Sequence, residues 1–156
     1  MKRLIVGAAL LALAGGASAD WERERDGAVL RSEGAPFEVF MPAPGVRTIP
    51  LFSKSLIRVK DADDCLRKQY PPVMGARSDA YPSVSINGAK VRSRAICKGG
   101  DLLIAMDSKR GQKLFDDAIE SNADIKMRLQ GVGEYVFANR SGTNAVQEIS
   151  RMGRGI

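Results

Sequence analysis

Histidine is absent from the 156 residues, and the chain has only two cysteines, one tryptophan, three tyrosines and five phenylalanines. The missing histidine removes the commonest general base, the commonest zinc ligand and the usual neutral-pH switch. It also excludes Ser–His–Asp and Cys–His catalysis. Two cysteines are too few for a Cys₄ zinc site or a multi-bridge scaffold. No phosphate loop of the form G-x-x-x-x-G-K-[ST] occurs, and Gly131-Val132-Gly133 lacks the third glycine and the helix of a dinucleotide loop. What is present is ordinary for a globular chain: 44% hydrophobic residues, 27% charged residues and a formal net charge of +6. That argues against wholesale disorder, and the length bounds the chain to one domain with a tail at most.

The N-terminus has the three parts of an export signal. Lys2 and Arg3 are a positive start, Leu4 to Ala14 is an unbroken apolar and small-residue run, and Ala17-Ser18-Ala19 is an A-x-A cleavage site. The apolar run is too short to cross about 30 Å of hydrocarbon as a helix, and no second run of about 20 residues follows. Cleavage after Ala19 is therefore expected, giving a periplasmic or secreted product that starts at Asp20. It would carry 22 basic and 18 acidic residues, a net +4 over 137 positions. No cysteine stands at the cleavage site to carry a lipid. In an oxidising compartment Cys65 and Cys97 are expected to form one disulfide. A nucleophilic cysteine ranks lower, with no histidine to serve as its base.

Along the mature chain, residues 20–35 read as a charged, solvated arm, with a short strand at Ala28–Leu30 and Trp21 tucked against the domain. Strands are expected at Phe37–Phe40, Val46–Leu51 and Leu56–Lys60. In the last of these, Ile57 and Val59 share one face, Arg58 and Lys60 the other. Residues 61–64 form an acidic loop, and 66–82, with Pro71, Pro72, Gly75 and Pro82, a long irregular connection. Asn87-Gly88 is the preferred pair for a type I′ turn. It sets Ile86 against Ala89, Ser85 against Lys90, Val84 against Val91 and Ser83 against Arg92. Val84, Ile86, Ala89, Val91, Ala95 and Cys97 then share a buried face, and Ser83, Ser85, Lys90, Arg92 and Arg94 an exposed one. A strand at Leu102–Met106 leads to a helix capped by Asp107 or Ser108, with Leu114, Phe115, Ala118 and Ile119 inward. Ile125–Leu129 and Glu134–Ala138 form a second hairpin. A last helix, capped by Thr143 or Asn144, buries Ala145, Val146, Ile149 and Met152 and stops at Gly153. The expected fold class is α+β: one hairpin-rich antiparallel sheet, two short helices packed on it and one disulfide, with residues 36–156 a single domain.

Catalytic constellations are weak. Ser53-Lys54-Ser55 and Ser108-Lys109 offer adjacent residues, which do not face one another on a strand or helix, and no S-x-x-K spacing follows residue 19. Asp116, Asp117 and Glu120 lie on one helix, where a solvated face is the simpler reading. The Asp61 to Asp64 loop lacks the glycine and distal glutamate of an EF-hand. No metal and no cofactor are expected. What remains is a surface: Lys90, Arg92 and Arg94 recur at every second residue, and Arg58 and Lys60 would extend that stripe if their strand joins the same sheet. Such a stripe suits phosphate-bearing lipid, acidic glycan or an acidic protein patch, or it is only solvated, with cations discouraging edge pairing. Nucleic acid is a poor partner, since no aromatic residues interleave with the cations.

The segment Val84–Ala95, Cys97, the strand and helix carrying Leu114-Phe115 and Ala118-Ile119, Ile125–Leu129, and Gly142-Thr143-Asn144-Ala145-Val146 before the last helix resembles the invasion-associated locus B family of exported bacterial proteins. The likeness covers residues 83–152. It departs from the family where Lys98-Gly99-Gly100 replaces a closely spaced second cysteine. It implies an envelope or host-interaction role and carries over no catalytic residue. The functional expectation is a small non-catalytic binding or accessory protein of the bacterial envelope, facing an anionic component or a protein partner. An accessory of a secretion or conjugation system, a periplasmic inhibitor or immunity protein, and a carboxylate-dependent hydrolase are the alternatives.

Overall fold

The structure is a computed structural model that describes residues 20–45, 54–62, 65 and 83–152. The expected signal at 1–19, the Val46–Leu51 strand, Asp63 and Asp64 of the acidic loop, the 66–82 connection and the Gly153 stop lie outside the described residues.

Among the described residues ten strands and two helices follow in order: β1 (Glu22–Glu24), β2 (Gly27–Leu30), β3 (Glu38–Pro42), β4 (Leu56–Val59), β5 (Val84–Ile86), β6 (Ala89–Val91), β7 (Ser93–Lys98), β8 (Asp101–Met106), α1 (Lys109–Glu120), β9 (Ile125–Leu129), β10 (Gly133–Phe137) and α2 (Gly142–Met152). All pairings are antiparallel, as in the expected α+β class. The single sheet of the sequence reading is corrected to two. One has six strands in the order β1-β2-β3-β4-β8-β7, the other four in the order β10-β9-β5-β6. The chain passes between them at Arg92, where β6 ends and β7 begins. The Arg92 carbonyl there accepts from the Asp107 N–H at 2.8 Å. Strands that change sheets at a bend make the corners of packed-sheet folds.

The β5–β6 hairpin has the expected register: Val84 pairs with Val91, Ser85 with Lys90 and Ile86 with Ala89. Asn87 and Gly88 both have positive φ, as a type I′ turn requires. The solvated arm is the second correction. β1 and β2 are paired strands of the six-stranded sheet. Ala28 and Leu30 enter the core from it, so its charges sit on a structured face. Trp21 does tuck in: its Nε1–H donates to Asn139 Oδ1 at 2.9 Å. Asn139 is fully buried, and its Nδ2 donates to the Ala118 and Ile119 carbonyls at the end of α1.

The main core joins Leu30, Val39, Met41, Ile57, Ile104 and Met106 of the first sheet to Val84, Ile86, Ile125, Met127, Leu129 and Phe137 of the second. The helices add Phe115, Ala118 and Ile119, and Ala145 and Ile149. These positions follow the helical and strand periods, so they meet this core from one stripe or one side of each element. Ser108 caps α1, its Oγ accepting from the Gly111 N–H at 3.0 Å. A second buried cluster of Val29, Phe40, Leu56, Leu103 and Ala105 lies on the other face of the six-stranded sheet. That sheet is therefore apolar on both faces, a fact that decides where Arg58 goes. The Cys65–Cys97 disulfide is formed, with Cα atoms 5.3 Å apart. It ties β7 to the chain beyond β4 and closes a loop that stabilises by about 3–4 kcal/mol in the chain-entropy model.

Candidate functional site

The five cations expected in one stripe are dispersed. Arg58 is buried, although alternation places it opposite Ile57 as the sequence implies. Its Nε–H donates to Glu38 Oε1, and its Nη2 lies 2.6 Å from Glu24 Oε2. Its guanidinium stacks 4.2 Å above the Phe40 ring. Lys60 lies 3.3 Å from Glu24 and 3.8 Å from Glu38. Arg31 completes the lattice, reaching Glu22, Glu24 at 2.6 Å and Glu38 at 2.9 Å. Burial works against the charge of Arg58, but hydrogen bonds and charge from Glu24 and Glu38 outweigh it and hold the guanidinium above its ordinary value. Burial likewise pushes Glu24 up, and Arg58, then Lys60, more than offset it, so the carboxyl lies below its usual range. This lattice is internally neutralised, which removes Arg58 and Lys60 from the binding stripe.

Arg94 belongs to the six-stranded sheet and pairs with Asp107 at 2.9 Å. Lys90 is exposed on β6 of the other sheet, and Arg92 is exposed at the bend between them. The cations that share Lys90's face come from elsewhere. β5 also pairs with β9, so Lys90, Ser85, Arg128 and Glu134 form one row across four strands. Lys126 and Arg128 point outward from β9, between Ile125, Met127 and Leu129 that point inward. Lys126 pairs with Glu134 at 3.0 Å. Lys90, Arg92 and Arg128 enter no ion pair among the described residues. Lys90 and Arg128 are two strands apart, roughly 10 Å. Arg128 was legible as an outward residue, but only the long-range β5–β9 pairing brings it beside Lys90.

The weak catalytic candidates also separate. Ser108 is a helix cap. Asp117 is tied to Lys113 by two contacts of 2.8 and 2.7 Å. Asp61 donates its N–H to Asp101 Oδ1 at 3.1 Å. Among the described residues no group of three or more Cys, Asp or Glu side chains could hold a metal ion. Two of the candidates do meet: Ser55 Oγ lies 3.4 Å from Asp116 Oδ1, at a groove of about 370 Å³ lined also by Lys54 and Glu120. Burial pushes the Asp116 carboxyl up, Lys54 and Ser55 pull it down in part, and Glu120 and Asp117 add to the rise. The contact anchors the Asp116 carboxylate, while the groove floor is apolar.

No helix among the described residues is long and apolar enough to cross a membrane. No family model, curated protein or solved structure matches the chain.

Proposed function

We propose that the chain is a small, exported, non-catalytic binding module of a bacterial envelope that engages an anionic envelope surface through the open face of the four-stranded sheet. One observation carries this reading. Lys90, Arg92 and Arg128 stand on or beside that face without acidic partners among the described residues, while most other cations of the two sheets, among them Arg31, Arg58, Lys60, Arg94 and Lys126, are paired with carboxylates. Unpaired cations on a flat face keep their full field for an outside anion. Two features support the export part of the reading: the tripartite N-terminus, and a disulfide of the kind that persists in oxidising compartments. The likeness of residues 83–152 to the invasion-associated locus B family points to the same compartment, and kinship with it is part of the proposal.

The test is cosedimentation of the oxidised chain from Asp20 with vesicles of anionic or zwitterionic phospholipid. Basic residues near an anionic surface contribute about 1 kcal/mol each. Lys90→Ser, Arg92→Ser and Arg128→Ser together should therefore weaken binding about 100-fold, with the melting temperature nearly unchanged. Equal binding to zwitterionic vesicles, or undiminished binding of the triple variant, refutes the reading.

A further inference from the structure

A groove of different chemistry lies between the two helices. Asp116, Ile119 and Glu120 face it from α1, and Val146, Ile149 and Ser150 face it from α2. Each set has the i, i+3, i+4 spacing of a single helix face. The third wall is Met41 to Gly45, leaving β3, and Lys54-Ser55 stand at the entry to β4. Met41, Ile119 and Ile149 are buried and make an apolar floor. Pro42 and Pro44 give the wall two positions without a backbone donor. The volume of about 370 Å³ lies in the range of small-molecule sites, roughly 300–1,000 Å³.

We propose that this groove is a binding site for a small cationic amphiphile, an apolar chain or ring bearing one primary amine. The charge of the lining decides the class. Two carboxylates, Asp116 and Glu120, face one cation, Lys54. Asp117, the next acid on α1, is turned to Lys113 instead. The Asp116 carboxylate is disfavoured by its own burial, which Lys54 and Ser55 offset only in part, and by the neighbouring acids Glu120 and Asp117. An ammonium group at its oxygens relieves both costs and makes a charge-assisted hydrogen bond. A carboxylate ligand would add a third negative charge, and a neutral apolar ligand would leave the repulsion in place. The apolar floor then takes the rest of the ligand, each buried methylene strengthening binding about fourfold. This site is independent of the cationic sheet face and selects ligands of the opposite charge.

Hexylamine, hexanol and hexanoate share a chain and differ in the head group. Titrating each into the ¹⁵N-labelled, oxidised chain from Asp20 should shift the amide signals of Ile119, Val146 and Ile149. Hexylamine should bind about tenfold more tightly than hexanol, and hexanoate least. Asp116→Asn with Glu120→Gln should reduce the amine-to-alcohol preference to less than threefold. Val146→Trp should fill the groove and abolish both. If that variant does not fold, the charge-neutralised variant still decides. The inference fails if no ligand shifts those signals at 50 mM, if the shifts fall elsewhere, if hexanoate binds as well as hexylamine, or if the neutralised variant keeps the preference.

Discussion

Replacing Arg58 by methionine tests whether the lattice on the six-stranded sheet acts as a unit. Arg58 is 5% exposed and Glu38 6%, so the pair is withdrawn from water. Removing one partner of a buried ion pair generally costs about 3–5 kcal/mol, because the other charge is stranded. Here the loss is smaller. Glu38 keeps the Arg31 Nε–H at 2.9 Å, and Glu24 keeps Arg31 at 2.6 Å and Lys60 at 3.3 Å. Methionine also preserves an apolar, polarizable contact above Phe40. The expected destabilisation is about 2–3 kcal/mol. Replacing Glu38 by methionine as well removes the stranded charge, so the double variant should be no less stable than Arg58→Met and should recover at least about 1 kcal/mol.

Urea unfolding followed by Trp21 fluorescence reads this directly, since Trp21 is the only tryptophan and is docked on Asn139. The slope should not change and the midpoint should. A pH series adds a second check. The Glu24 carboxyl lies below its usual 4.5 in the folded state, so its contribution is complete above that value and is lost as pH falls through the folded pKa. Arg58 is its strongest stabilising partner, so the gap between wild type and Arg58→Met should narrow in acid. If the single variant loses less than about 1 kcal/mol, or if the two substitutions are strictly additive, the coupled-lattice reasoning is wrong.

Three further outcomes are expected. Cys65→Ser with Cys97→Ser should lower stability by about 3–4 kcal/mol in urea, the chain-entropy value for the 32-residue separation, and reduction of the wild type should do the same. Gly142→Ala should destabilise by about 2–3 kcal/mol, at the upper end for overpacking, because its Cβ would lie 1.9 Å from the Ile119 carbonyl oxygen; a change below 0.5 kcal/mol would show that the helices adjust freely. Mass spectrometry of the chain expressed with its N-terminal segment in a Gram-negative host should find a periplasmic product beginning at Asp20, and a retained Met1 would remove the export reading.

The sequence reveals what depends on neighbours and conceals what depends on sheet assembly. Asn87-Gly88 fixes a turn, the turn fixes a register, and the alternation of Val84, Ile86, Ala89 and Val91 assigns the faces, so this hairpin forms as expected. The disulfide, both helices and the Ser108 cap are legible for similar reasons, since caps and stripes are local. But α2 begins at Gly142, ahead of the expected Thr143 or Asn144 cap, and Thr143 Oγ1 instead donates to the Glu120 carbonyl at 2.9 Å. The stripe through Lys90, Arg92 and Arg94 assumes a straight strand, and nothing local marks the bend at Arg92 where the chain changes sheets. Arg58 is more instructive. Alternation assigns its face correctly, but that face is buried rather than wet. Leu102 to Met106 is five consecutive apolar residues, and Val39 to Met41 is another apolar run. Continuous runs of that kind belong to strands buried on both faces. A cation on a strand between them has no open water to point into and needs carboxylates of its own. Glu24 and Glu38 supply them, and the arm that looked solvated is held in the sheet as part of the same solution. The same logic underlies the proposal that the four-stranded sheet is the binding face. Its β9 alternates strictly, so one of its faces is open, and cations left unpaired there are available to an outside anion.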